Sequence, residues 1–204
     1  MTAVLTSPET VTVNLEWLWT IERYHAAIEA GILTEDDRVE LIFGKLYLRM
    51  PVGKMHAACL SKINRLFHER YLQDYELRRE NPVTLPNETE PEPDFVVAYQ
   101  KDDYYASGHP TPPDILILIE VSDATLGADR TTKASAYAMA GIKEYWIVNL
   151  KSRKLELHLD PQPEDGIFTN ISHHGETESF QSPFAGEVRV EDLLVEPVPE
   201  AETE

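Results

Sequence analysis

The sequence predicts an α/β chain of the α+β kind, with a central mixed β-sheet flanked by helices. Three observations carry this. Segments with helical spacing alternate with extended apolar segments in the order helix, hairpin, helix, strands, helix, strands, the pattern of a mixed sheet with helices packed on it. The run Ile115-Leu116-Ile117-Leu118-Ile119 is continuous rather than alternating, as in a strand buried on both faces. Asp129 to Ala140 then reads as a helix and Glu144 to Leu150 as another strand, so the helix between them is expected to cross over and lie back on the sheet.

Each element follows from local chemistry. Residues 1–13 are Thr- and Val-rich without helical period, a loose arm or edge strand. Asn14 can cap a helix running to about Ala30, with Gly31 past its end and Trp17, Ile21, Tyr24 and Ile28 on one face. Thr34-Glu35-Asp36-Asp37 resembles a short capping turn. Arg38 to Met50 alternates as a hairpin about Gly44-Lys45. Residues 55–72 place His56, Leu60, Ile63 and Phe67 on one helical face. A strand is expected over 76–86, an acidic loop over Asn87 to Glu92, and a strand over Phe95 to Tyr99 with Asp94 at its mouth. Gln100 to Pro113 reads as a long polar connection. Lys154 to Leu159 alternates as the hairpin partner of the Glu144 strand; Asp160 to Gly175 is turn-rich, and short strands follow around Val188.

The chain has 204 residues, 42% hydrophobic and 26% charged, which suits one domain, expected over 1–195. An acidic, disordered tail is expected over 196–204. The formal net charge of −18 argues against non-specific binding to nucleic acid, whose phosphates are met by Lys and Arg. The most basic stretch, 54–79, contains His56, Lys62, Arg65, Arg70, Arg78 and Arg79. Cys59 is the one cysteine, so no intrachain disulfide forms. No signal peptide is visible and no apolar run approaches membrane-spanning length, so a cytoplasmic protein that does not enter membranes is expected.

The chemistry concentrates between Pro93 and Trp146. Asp94 opens one apolar run and Glu120 interrupts the end of another. Asp94 alone is an ordinary strand-entry residue. Glu120 is the sharper signal, because a carboxylate in such a run needs a partner, hydrogen bonds or a metal. Lys133 lies four residues after Asp129, where the two can form a solvated helical pair, but a crossover helix would also let it reach the carboxylates. Glu40, in a hairpin arm, and His56, at a helix start, are weaker candidates for the same cleft; a His so placed is more often packed or capping than a ligand. The His173-His174 pair shows no metal-ligand spacing, and there is no phosphate-cradling glycine loop, nucleophile elbow or zinc motif. Oxygen donors of this kind suit Mg²⁺ or Mn²⁺. An Asp, Glu and Lys cluster suits phosphodiester hydrolysis, with the Lys stabilising developing charge or positioning water.

These residues resemble the PD-(D/E)XK nuclease superfamily, and more narrowly a family of "putative restriction endonucleases" abundant in cyanobacteria. The resemblance rests on Glu40 to Lys45, the helix entry at His56, Pro93-Asp94, Ile119-Glu120-Val121-Ser122, Asp129 through Lys133, and Tyr137 to Val148, and it covers about residues 14 to 195. It implies a core of four mixed strands flanked by helices, with Asp94 and Glu120 as Mg²⁺- or Mn²⁺-binding acids. It further implies the Val121 carbonyl as an additional ligand, and Glu40 as an accessory acid. The usual motif has a Lys two residues after the acid. Ser122 stands there, so Lys133 on the next helix is the candidate.

The expectation is a metal-dependent endonuclease acting on DNA. A restriction role does not follow, because it rests on fold analogy. A homodimer is plausible because cutting both strands of a duplex usually takes two sites. Two alternatives stay open: a catalytically silent binding or assembly module of the same fold, and a phosphoesterase for small or single-stranded substrates.

Overall fold

The computed structural model describes residues 16–196. Its centre is a six-stranded sheet in the order β3-β4-β5-β6-β7-β8, so every strand lies beside its neighbour in sequence. The strands are β3 (Tyr75–Arg79), β4 (Phe95–Tyr99), β5 (Ile115–Ser122), β6 (Glu144–Asn149), β7 (Lys154–Gln162) and β8 (Ile167–Gly175). All neighbours are antiparallel except β5 and β6, which run parallel. The sheet is mixed for one reason: a parallel pair needs a crossover. Helical residues 126–139 supply it.

Two small hairpins flank the sheet. β1 (Val39–Ile42) pairs with β2 (Lys45–Leu48), and β9 (Ser179–Ser182) with β10 (Gly186–Arg189). Phe43 and Gly44 turn the first hairpin at φ 52° and 71°. Positive φ at both central positions matches the right-handed twist of the arms, and glycine adopts it freely.

Helix α1 (Ile21–Glu29) begins later than expected. Thr20 caps it, its hydroxyl accepting from the Arg23 N–H at 3.2 Å. Trp17 therefore precedes the helix and is exposed rather than part of its packed face. Asn14, the expected cap, lies outside the described residues, as do the arm over 1–13 and most of the tail over 196–204. Helix α2 (Lys54–Tyr71) buries Cys59, Leu60, Ile63 and Phe67 against one face of the sheet, on Phe95, Val97, Ile117, Ile119, Val121 and Trp146. The opposite face carries Val96, Leu118, Tyr145 and Ile147 under Ala134, Tyr137 and Ala138. Both faces of β5 are covered, which accounts for its unbroken apolar run.

Three expectations are corrected. The strand over 76–86 ends at Arg79. Residues 167–175 form β8, because alternation there is weak on an exposed edge strand. The central mixed sheet flanked by helices is as expected, with six strands around the core of four that the resemblance implies. The expected helix over 129–140 is composite. α3 (Leu126–Ala128) leads into a π-helical segment, Asp129–Lys133, and then α4 (Ala134–Met139), after which Gly141 turns the chain at φ 73°. Among the described residues no helix is long and apolar enough to cross a membrane.

Candidate active site

Strand register builds the site. Phe95 pairs with Ile119 at the end of the β4–β5 ladder, so Asp94 just before β4 and Glu120 just after that pair come together at the sheet end. Ile119 faces α2, so alternation puts Glu120 on the α4 face. Asp94 and Glu120 are close enough for each to disfavour the other's charge. Each acid is accordingly compensated. Asp94 Oδ2 accepts from the Val121 N–H at 2.6 Å and lies 3.0 Å from His56 Nε2. Glu120 Oε1 accepts from Lys133 Nζ at 3.0 Å and from the Tyr137 hydroxyl at 2.7 Å.

The Val121 N–H is taken by the Asp94 carboxylate rather than by β4 main chain, so the β4–β5 ladder has ended here and Val121 lines the cleft.

The hairpin closes the cleft from above. Its β1 arm is tied to the 88–92 segment: the Gly44 N–H donates to Glu88 O at 2.8 Å, and the Glu90 N–H to Leu41 O at 2.7 Å. That places buried Glu40 beside Lys133, with Oε2 3.4 Å from Nζ and also accepting from the Glu92 N–H at 3.1 Å. Glu92 is ion-paired with Arg49.

The π-helical segment delivers the lysine. Its one-residue excess rotates the side chains that follow, and such segments are frequent at functional sites. Lys133 turns inward to Glu120 and Glu40, whereas the expected Asp129–Lys133 pair does not form. Asp129 is buried and instead accepts from the Ser122 and Thr125 hydroxyls, both at 2.7 Å, pinning the segment to the end of β5. The buried Tyr145 hydroxyl donates to Asp129 O at 3.0 Å.

Charge in this cluster is uneven: Lys133 shares its ammonium among several acids. Burial opposes the charge on Lys133, but Glu120, Glu40, Asp129 and Asp94 outweigh it and hold its pKa above the ordinary amine value. Burial also pushes Glu120 well above the usual carboxylate range; Lys133 pulls it down, and Asp94, Asp129 and Glu40 push it up further. Glu92 and Asp129 are raised for the same leading reason, burial. His56 is raised: burial lowers it, and the hydrogen bond and charge of Asp94 overcome that.

The structure therefore brings together all the expected site residues: Asp94, Glu120, Val121, Lys133, Glu40 and His56. All six line one cavity of about 210 Å³ at the carboxyl end of β5. Tyr137, Glu92 and Asp129 complete the cluster without having been assigned these roles from sequence. The i, i+4 spacing of Lys133 and Tyr137 was the available signal for the first. Among the described residues no three His, Cys, Asp or Glu side chains converge as a metal site. The donor set is two carboxylates and a main-chain carbonyl, all oxygen, which fits a hard divalent cation with water completing its shell.

A family model described as "Uma2: Putative restriction endonuclease" matches residues 21–191. The chain belongs to this family. Among solved structures, this Uma2-family chain is similar to a putative nuclease of DUF820 from Anabaena variabilis ATCC 29413, at a TM-score of 0.54 and 16% identity, covering 78% of this chain and 90% of that one. At that identity the likeness concerns the fold. The type IIG restriction endonuclease BpuSI also matches, at a TM-score of 0.38 and 19% identity over 57% of this chain and 12% of its own. No curated protein matches.

Proposed function

We propose that this chain is a divalent-metal-dependent endodeoxyribonuclease. The observation that carries the reading is that Asp94, Glu120, Val121 and Lys133 line one cavity, with Asp94 bonded to the Val121 N–H and Lys133 3.0 Å from Glu120. Membership of a family named for restriction endonucleases supports the reaction class.

Asp94, Glu120 and the Val121 carbonyl would hold Mg²⁺ or Mn²⁺. When bound, the ion supplies a lowered water pKa and neutralises charge on a scissile phosphate. The chain's own residues do the rest. Lys133 carries a fixed positive charge at the phosphate-facing side of Glu120, where charge develops in the transition state. Tyr137 holds the Glu120 carboxylate from behind. His56 holds Asp94 in place through Nε2. Glu40 positions the Lys133 ammonium between two carboxylates, which stops it from swinging to solvent. A cytoplasmic setting and a homodimer presenting two such clefts belong to the same proposal.

One observation favours a silent module of the same fold: the cleft's lining cations, Lys133 and Arg49, are already paired with its acids. Titration calorimetry with Mn²⁺, on wild type and on the Asp94→Ala, Glu120→Ala double variant, separates the two when run beside a plasmid-cleavage assay. Binding and cleavage lost together in the variant support the nuclease. Cleavage that survives in the variant removes these residues from the chemistry. Wild type that neither binds nor cleaves is the silent module.

A further inference from the structure

The cleft has two unlike walls. One carries the acids and Lys133. The other is the outer arm of the hairpin and the loop after it, where Tyr47, Leu48, Met50 and Val52 are 37%, 78%, 55% and 46% exposed. All four line the cavity. Tyr47 pairs directly across the hairpin with Glu40, so the two side chains share a face, with the phenol ring beside the acid cluster. An exposed apolar patch continuous with a site marks a surface that meets a ligand.

We propose that the site takes an unpaired DNA strand, with the base next to the scissile phosphate stacked on Tyr47 and flanked by Met50 and Val52. This rests on the nuclease reading above and names its substrate class. The cleft's charge carries the choice. Seven acidic side chains line it against Arg49 and Lys133, both of them paired. Duplex binding draws its affinity from Lys and Arg neutralising many phosphates along both backbones. These walls supply no free cation for a second phosphate among their lining residues. A single strand needs less: one phosphate neutralised by the divalent ion that the acids would hold, and affinity from a base on an aromatic platform. The cavity, about 210 Å³, has room for one unit of a chain beside the acids.

The test is fluorescence anisotropy of one labelled oligonucleotide, single-stranded or annealed to its complement, with the full chain in millimolar Ca²⁺. Cleavage of the same two substrates in Mn²⁺ is followed in parallel. The single strand is expected to bind at least about tenfold more tightly than the duplex. Tyr47→Ala is expected to weaken that binding about tenfold, Tyr47→Phe to preserve it, and Met50→Ala to weaken it less. Equal binding of the two forms, no binding of either, or a Tyr47→Ala variant that binds like wild type overturns the proposal. Strand preference that persists without any cleavage supports it and defeats the nuclease reading. Indiscriminate cleavage of the duplex does the reverse.

Discussion

At the scale of single residues, Glu120 and Lys133 depend on each other. Glu120 is buried and Lys133 largely so, and each has part of its charge answered by the other. Removing one partner of a buried pair strands the other, at about 3–5 kcal/mol. Lys133→Met is therefore expected to lower Tm by roughly 10 °C in a chain of this size. The same change made in a Glu120→Gln background should cost less, because Glu120 is then no longer stranded and Glu40 is the direct partner that remains. Thermal unfolding followed by circular dichroism, run as a double-mutant cycle, measures the coupling; additive effects would show that the pair contributes nothing.

At the scale of elements, the turn of the first hairpin and the π-helical segment carry the geometry. Gly44 has φ 71°, and a Cβ there would sit 2.9 Å from both Leu18 Cβ and the Trp19 carbonyl oxygen. Gly31 has a similar φ of 67°, but open space around it. Gly31→Ala should cost about 1 kcal/mol from backbone strain alone, and Gly44→Ala about 3 kcal/mol, because main chain must also shift. Urea unfolding of the two variants checks the ordering; equal costs would mean that the close approach is absorbed elsewhere. The hairpin carries both Glu40 and Tyr47, so its anchoring to residues 88–92 decides the position of the cleft roof.

At the scale of the whole molecule, acid stability is set by carboxylates held far below their usual range. Glu156 on β7 is the clearest. Its burial would raise its pKa, but the His158 ring 3.8 Å away and the Arg130 guanidinium, donating to both carboxylate oxygens, bring it down to about 2. The folded value lies below the unfolded one. The stabilisation is therefore complete above about pH 4.5 and lost as pH falls towards about 2. Arg130 is half-exposed and screened, so the contribution is about 1–2 kcal/mol. Glu156→Gln should flatten stability between pH 5 and pH 2.5, read by urea midpoints at each pH; an unchanged slope would assign the acid sensitivity to other groups.

The mixed sheet, the crossover helix between β5 and β6 and the candidate acids were legible in the chain, because they rest on local rules: a continuous apolar run must be buried, and a carboxylate at its end needs a reason. Asp94, Glu120 and Lys133 each sit next to such a run or on the element after it. The start of α1, the strand β8 and the split of the crossover helix were not legible. Thr20 is the cap that forms, β8 is an edge strand with weak alternation, and the π-helical segment is held by the Asp129 contact with Ser122 at the end of β5. The site's inner logic came from long-range contacts. Lys133 chooses Glu120 and Glu40 over Asp129 only once β4, β5 and the hairpin are in place. A chain codes side-chain chemistry and period locally, whereas which charges meet depends on segments far apart in sequence being aligned, as Phe95 is with Ile119, and that alignment is a property of the folded sheet.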